Sequence, residues 1–208
     1  MAFGFSTRTA RRSWSRISLA VVLRDVCAAM TSLQIPTLSG ERLRLEPLAS
    51  SHTEGMFALW REPAVCEYSG PAIDAKGRLL ELPAASSATS DRLLEFWLDR
   101  AQMGTGFRWA VMLEERSAFI GAVGFNSLGA CAEYAYHFNP RYWGAGLATE
   151  ASRIALSWRF AEGSESVEAF IEDANAPSIR LAKRLGFRVV SGAEGLSRYV
   201  LRRAEQLG

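Results

Sequence analysis

The chain has 208 residues, enough for one domain with a substantial core, and its net charge of +2 offers no basic face of the kind a nucleic-acid partner requires. Hydrophobic residues make up 49% and charged residues 22%, an ordinary globular composition. Cys27, Cys66 and Cys131 are odd in number and widely spaced, and His52 and His137 are the only histidines, so neither a disulfide framework nor a metal centre is expected.

Residues 1–30 carry Arg8, Arg11, Arg12, Arg16 and Arg24 and no acid before Asp25, a composition that resembles a mitochondrial presequence; the twin arginines also invite an export reading. The apolar run over 17–23 is short, contains Ser18 and lacks a clear cleavage site, which argues against secretion and against membrane spanning. The preferred reading of 1–30 is a disordered extension or a start assigned too early, with Met30 opening the way to a domain over 38–204.

Next come a strand over 42–46 and a helix over 52–61. Residues 69–90, rich in glycine, proline and a serine-alanine run, read as a long surface loop with room for a short hairpin. A helix over 91–103 follows, with Leu93, Leu94, Trp97, Leu98 and Ala101 on one face and Asp91 near its positive end. FRWAVML and AFIGAVGFN, separated by EERS, predict an antiparallel hairpin. It feeds a strand over 133–138, in which Tyr134, Tyr136 and Phe138 alternate with Glu133, Ala135 and His137. Pro140 has no N–H to donate and closes that ladder.

A helix opens near Leu147: Leu147, Ala148, Ala151, Ile154, Ala155 and Trp158 recur at helical spacing, with Thr149, Glu150, Ser152, Arg153 and Ser157 between them. Then come a strand over 167–171, a helix over 177–185, a strand over 187–190 and a final strand over 198–202. Pro177 suits the first turn of the short helix, Lys183 and Arg184 its negative end, and Gly186 the left-handed residue that ends it.

The turn RYWGAGLATEA, between a strand and an amphipathic helix, is suited to hold an anion. Gly144 and Gly146 carry no Cβ to keep a ligand from the backbone, and the helix adds unpaired N–H groups and the positive end of its dipole. A dinucleotide fingerprint would need a third glycine where Thr149 stands, and a Walker loop would need a lysine that is absent. What remains is RxxGxG, formed by Arg141, Gly144 and Gly146, followed by Asn175 and the string LGF.

RYWGAGLATEA together with NAPSIRLAKRLGF resembles the two signature blocks of the GCN5-related N-acetyltransferase (GNAT) superfamily, and in particular its ribosomal-protein-alanine N-acetyltransferase subgroup. The resemblance implies an α/β (α+β) fold: one domain with a mixed, mostly antiparallel twisted sheet flanked by helices and splayed between the fourth and fifth strands. It also implies acetyl-CoA as co-substrate, no metal, and direct attack by an amine in a ternary complex. Backbone groups of Arg141, Gly144, Ala145, Gly146, Leu147 and Ala148 would hold the diphosphate, and Phe138 and Asn175 would flank the pantetheine arm. Asn175 has an alternative role as a helix cap.

Many members place a tyrosine acid four residues beyond the position of Ser178, where this chain has Ala182. Ser178 is then the hydroxyl to contact the sulfur, and Glu133 the candidate base, with an inward-facing structural network as its alternative. His137 lies on the same strand face, about 13 Å away, and reads more readily as a core residue.

The acceptor is read as a primary amine, with a protein or peptide N-terminus favoured by the subgroup and a small-molecule amine as the alternative. An acyl-CoA sensor or interaction module without turnover is a further alternative. Glu54, Glu62, Glu67 and Asp74 are possible contacts for the cationic acceptor, whereas Trp60, Tyr68 and Trp97 read as packing residues. A cytoplasmic protein, monomeric or homodimeric, with neither nucleic acid nor membrane as partner, completes the expectation.

Overall fold

A computed structural model of the chain describes residues 33–206. The reading of residues 1–30 lies outside them. The long strands are β2 (Leu43–Pro47), β5 (Phe107–Leu113), β6 (Ala118–Ser127), β7 (Cys131–Phe138), β8 (Ser166–Glu172), β9 (Arg188–Ala193) and β10 (Leu196–Arg202), with the two-residue β1 (Leu38–Ser39) at one edge. The sheet order is β1-β2-β5-β6-β7-β8-β10-β9. Every pairing is antiparallel except β7 with β8.

That one parallel pair holds register only from Cys131, Ala132 and Glu133 to Ser166, Val167 and Glu168. Beyond Glu133 the two strands part, although β7 runs on to Phe138 and β8 to Glu172. Counted from β2, these are the fourth and fifth long strands, as expected.

Both faces of the sheet are covered. On one, Phe107, Trp109, Val111, Val123, Phe125 and Tyr134 pack against Leu147, Ala151, Ala155, Leu156 and Phe160 of α4 (Leu147–Ala161). Trp109 meets Phe107 and Trp158 edge-on at 4.6 and 5.1 Å and donates its indole N–H to Pro36 O at 2.8 Å, so its polar atom is satisfied in the core. On the other face, Ala110 and Ala122 are covered by α1 (Thr53–Trp60) and α3 (Ser87–Gln102), through Met56, Leu59, Trp60, Leu93 and Leu94. The remaining helices are α2 (Pro63–Cys66), α5 (Ala176–Arg184) and α6 (Arg203–Gln206).

The segment 69–90 is more ordered than its composition suggests. It holds a hairpin of β3 (Ala72–Ile73) and β4 (Leu79–Leu80), and α3 already begins at Ser87, after Ser86 at its N-cap. Asp91 therefore sits past the first turn of α3, not at its positive end. Asp74 is buried and takes hydrogen bonds from Arg78 Nε at 2.8 Å and Arg92 Nη2 at 2.5 Å, which ties the hairpin to α3. In α4 the core stripe is wider than the apolar residues mark, because Thr149 and Ser152 are buried too. Ser152 avoids the cost by donating to Ala148 O at 2.6 Å. The C-terminal strands are longer than expected, and β10 lies between β8 and β9.

Alternation along β7 divides its side chains. Tyr134 reaches Ser152 of α4 and Tyr136 reaches Ser178 of α5, whereas His137 on the opposite face packs 4.6 Å from Trp60 of α1. Burial, and then the charge of Arg108, push the His137 imidazole down to about 3. An unfolded histidine titrates near about 6.5, so below that pH the unfolded chain takes up a proton that the folded one refuses. The stabilisation is complete above about 6.5 and declines as pH falls toward the folded value. Denaturant unfolding followed by tryptophan fluorescence is expected to show lower stability at about pH 5 than at about pH 7, and His137→Phe should flatten that part of the slope.

Candidate functional site

Where β7 and β8 part, a cleft of about 1230 Å³ opens, reaching the turn before α4 at one end and α3 at the other. Phe138, Gly144, Gly146, Leu147, Ala148, Asn175, Ser178 and Glu133 all line it. Arg141 and Ala145 do not: both are exposed at the rim.

The turn is built by its backbone. Gly144 and Gly146 both have φ of +79°, the left-handed region that strains residues bearing a Cβ. A Cβ on Gly144 would meet nothing within 4 Å, so the space beside it is open. The N–H of Arg141 is bonded to Asn139 Oδ1, that of Tyr142 to Asn139 O and that of Trp143 to Pro140 O. These three are therefore not free donors. Gly144, Ala145 and Gly146 donate to no acceptor among the described residues, and Leu147, Ala148 and Thr149 form the first turn of α4, where helical geometry leaves N–H groups unpaired. Glu150 is the first to bond back, to Gly146 O at 3.1 Å. The run of free donors is thus 144–149, not 141–148.

Arg42 was not legible as part of this site. Its Nη1 donates to Ala145 O at 3.0 Å, while its backbone N and Nε donate to the Glu150 carboxylate, each at 2.8 Å. A trans peptide points its C=O and N–H in opposite directions, so holding the Ala145 carbonyl toward Arg42 turns the Gly146 N–H away from it. The same guanidinium offsets the negative charge of Glu150 in the first turn of α4, which would otherwise repel an anion. Behind the turn, Arg42, Arg153 and Arg184 line a second hollow of about 460 Å³ beside Gly146. Arg180 and Arg184 also line the main cleft, so this end is basic.

On the α5 side, Asn175 is the N-cap: its Oδ1 accepts from Ser178 N at 3.2 Å. The cap uses only the oxygen, and the amide NH2 of Asn175 has no partner among the described residues. Ser178 Oγ accepts from Tyr136 Oη at 2.8 Å across the cleft. Ala182, where a phenol was sought, is buried.

The far end holds Glu133. Its Oε1 accepts from Asn126 Nδ2 at 2.5 Å, and Asn126 Oδ1 accepts from Arg108 Nη2. Asn126 is the extra residue of a β-bulge, because register passes from Phe125 opposite Tyr134 to Ser127 opposite Glu133. The bulge re-aims its side chain between two neighbouring strands. Its carbonyl also accepts from Arg100 Nη2 at 2.6 Å. Arg108 is 4% exposed, stacks its guanidinium 3.6 Å from the centre of the Trp97 ring, and donates to Phe107 O at 3.0 Å. Burial lowers its pKa to about 9, an effect that Glu133 opposes. The network pins one oxygen of Glu133, and Oε2 has no hydrogen-bond partner among the described residues.

Of the other acidic candidates, only Glu67 lines the cleft. Asp74 is sequestered by its two arginines, and Glu54 and Glu62 lie off the lining. Trp60 and Trp97 line the cleft as well as packing in the core, whereas Tyr68 lines the cleft without joining either core cluster. Neither a group of three metal-ligating side chains nor a helix long and apolar enough to cross a membrane occurs among the described residues.

Residues 42–188 match the family model described as Acetyltransferase (GNAT) domain. The chain is 26% identical over 166 residues to the uncharacterised N-acetyltransferase p20 of Bacillus licheniformis, a match covering 78% of this chain and 85% of that one. Among solved structures it is similar to a spermidine N-acetyltransferase from Vibrio cholerae in complex with CoA and spermine, with a TM-score of 0.65 at 17% identity, covering 81% of this chain and 100% of that one. It is also similar to a candidate ribosomal-protein-serine acetyltransferase from Vibrio cholerae, with a TM-score of 0.69 at 16% identity, covering 83% and 99%. The family match spans the turn of free N–H groups, the parted strands and the cap of α5, and the chain belongs to the GNAT family of acyl-CoA-dependent N-acyltransferases.

Proposed function

We propose that this protein acetylates the N-terminal amine of a protein or peptide in the cytoplasm, using acetyl-CoA, by direct attack in a ternary complex. Acetyl-CoA supplies a thioester carbon open to a nucleophile and a thiol leaving group. The free N–H groups over 144–149 and the bare glycines fit its diphosphate. Arg42, Arg153, Arg180 and Arg184 supply positive charge at the same end. Leu147, Ala148 and Phe138 would line the path of the pantetheine arm, and the unpaired amide NH2 of Asn175 is a donor for it. Arg141, whose N–H is already taken by Asn139, acts on this reading through the shape of the turn rather than by touching the ligand.

Glu133 is the base, taking the proton of the attacking ammonium through Oε2, directly or through a water. An α-amino group, at roughly 7.7 to 8.0, is far easier to deprotonate near neutrality than a lysine at roughly 10.4. His137, held near 3 by burial, is a weak base and packs against Trp60.

The observation that carries the choice of acceptor is the charge of the far end of the cleft. Glu67, Glu133 and Glu172 line the cleft with Arg100 and Arg108, and Arg108 is buried. The carboxylates draw in one ammonium, which a peptide backbone can follow. The two arginines disfavour a polyamine, whose second and third charges would approach guanidinium groups. A small amine with a single charge fits the same pocket, so the acceptor panel includes one.

Three outcomes follow. Thiol release from acetyl-CoA is expected with N-terminal peptides and to be weak with spermidine; binding of acetyl-CoA without CoA production from any amine would favour a sensor. Glu133→Gln should lower kcat/KM by about a hundredfold or more while leaving acetyl-CoA affinity unchanged, and unaltered activity would remove Glu133 from the chemistry. Gly144→Glu places an anion beside the free N–H groups; calorimetry should show acetyl-CoA affinity falling at least about tenfold, with the circular dichroism spectrum retained because the added side chain points into open space.

A further inference from the structure

One face of β7 sets two phenols against two serines, and the pairs differ in where their protons go. Tyr134 Oη donates to Ser152 Oγ at 2.8 Å, and Ser152 Oγ donates to Ala148 O at 2.6 Å. That chain ends in a buried carbonyl and ties β7 to α4. Tyr136 Oη likewise donates to Ser178 Oγ at 2.8 Å, but the Ser178 O–H has no acceptor among the described residues.

A serine hydroxyl has one proton and two lone pairs. With Tyr136 occupying a lone pair, the Ser178 proton points away from Tyr136, and accepting one hydrogen bond makes the hydroxyl a better donor of the next. Ser178 lines the cleft, is half-buried, and lies in the first turn of the nine-residue α5, near the positive end of its dipole. Tyr136 lies three residues beyond Glu133, the last residue paired with β8, so the Tyr136–Ser178 bond crosses the opening itself.

We propose that Tyr136 is a positioning residue that orients the Ser178 hydroxyl as a hydrogen-bond donor to the sulfur of coenzyme A, stabilising the departing thiolate in place of the phenol absent at Ala182. The proposal rests on the acetyl-transfer reading above. A tyrosine titrates near about 10 and a thiol near about 8.5, so full proton transfer to sulfur runs uphill. Burial pushes the Tyr136 phenol further up. The pair therefore holds the thiolate rather than protonating it. The ammonium gives one proton to Glu133 and becomes the nucleophile; the C–N bond forms, the nitrogen loses a second proton to solvent, and the C–S bond breaks with its electron pair staying on sulfur. Of the two protons released, the thiolate later takes up one and the other stays in solvent.

The test is the pKa of the thiol of CoA bound to the protein. It is read from the ultraviolet absorption of the thiolate, with desulfo-CoA as the reference that cancels the protein's own cysteines. The charged groups lining the cleft are Glu67, Arg100 of α3, Arg108 of β5, Glu133 of β7, Glu172 of β8 and Arg180 and Arg184 of α5, and no variant alters them. Wild-type protein should lower the thiol pKa below its value in free CoA. Tyr136→Phe and Ser178→Ala should each raise it by about one pH unit, and the double variant no further, because the two act as one unit. Tyr136→Phe should also lower kcat with KM for acetyl-CoA unchanged. Fluorotyrosine in place of Tyr136, a stronger donor, should move the thiol pKa downward, which a purely structural tyrosine would not do.

A wild-type thiol pKa in Tyr136→Phe, or additive shifts in the double variant, overturns the proposal and leaves acetyl transfer standing. Failure of the wild-type protein to bind either CoA or desulfo-CoA overturns both.

Discussion

The structure depends on a parallel pairing that stops early. β7 and β8 share only three residue pairs, yet each continues for several residues beyond the last of them. The facing edges of two adjacent strands are thus left without a ladder. Unpaired backbone groups at a sheet edge seek hydrogen bonds, and in a cleft the available partners are water or a ligand with amides of its own. On the reading advanced above, the amides of a pantetheine arm take the place of the missing strand pairs.

The parted strands also explain how one site serves two reactants. Side chains alternate along β7, so Glu133 and His137 face the helices α1 and α3, and Tyr136 faces α5. In a closed sheet these faces would be isolated from one another. The gap joins them, so that on the proposed mechanism an amine can approach past Glu133 on one face while a thiol leaves past Ser178 on the other. Asn126 serves the first face and Asn175 the second, each by a side-chain bond that fixes a neighbour: Asn126 through a bulge between β6 and β7, Asn175 through the cap of α5.

The parts of this arrangement that were legible in the sequence are those whose chemistry is local. Gly144 and Gly146 announce a turn because only glycine adopts positive φ at little cost, and Pro177 with Gly186 brackets α5 by the same backbone logic. The strands of the β5–β6 hairpin showed through their apolar runs. What escaped notice depends on distant partners. Arg42 lies 103 residues from Ala145, and its motif-free surroundings give no sign of the contact. The link from Arg108 through Asn126 to Glu133 needs a bulge that no residue pattern marks. The early start of α3 was hidden because Ser86 and Ser87 sit in a serine-alanine run that reads as loop by composition. Asp74 was open to the cationic acceptor on sequence grounds, but the hairpin brings Arg78 and Arg92 onto it.

The buried Arg108 is the costliest of these distant partners. Withdrawing a guanidinium from water is unfavourable, and the depression of its pKa to about 9 reflects that penalty. Purely for stability, an apolar side chain at this position would serve as well or better. Three features offset the cost locally: the Trp97 face, the Phe107 carbonyl and the Asn126 amide oxygen. All three also fix where Asn126 points, and Asn126 in turn fixes Glu133. A charge buried at this expense beside a carboxylate that lines the cleft is better explained by the site than by the core. It keeps a positive potential behind Glu133 while leaving Oε2 free, so the carboxylate is held in place without being consumed by a direct ion pair.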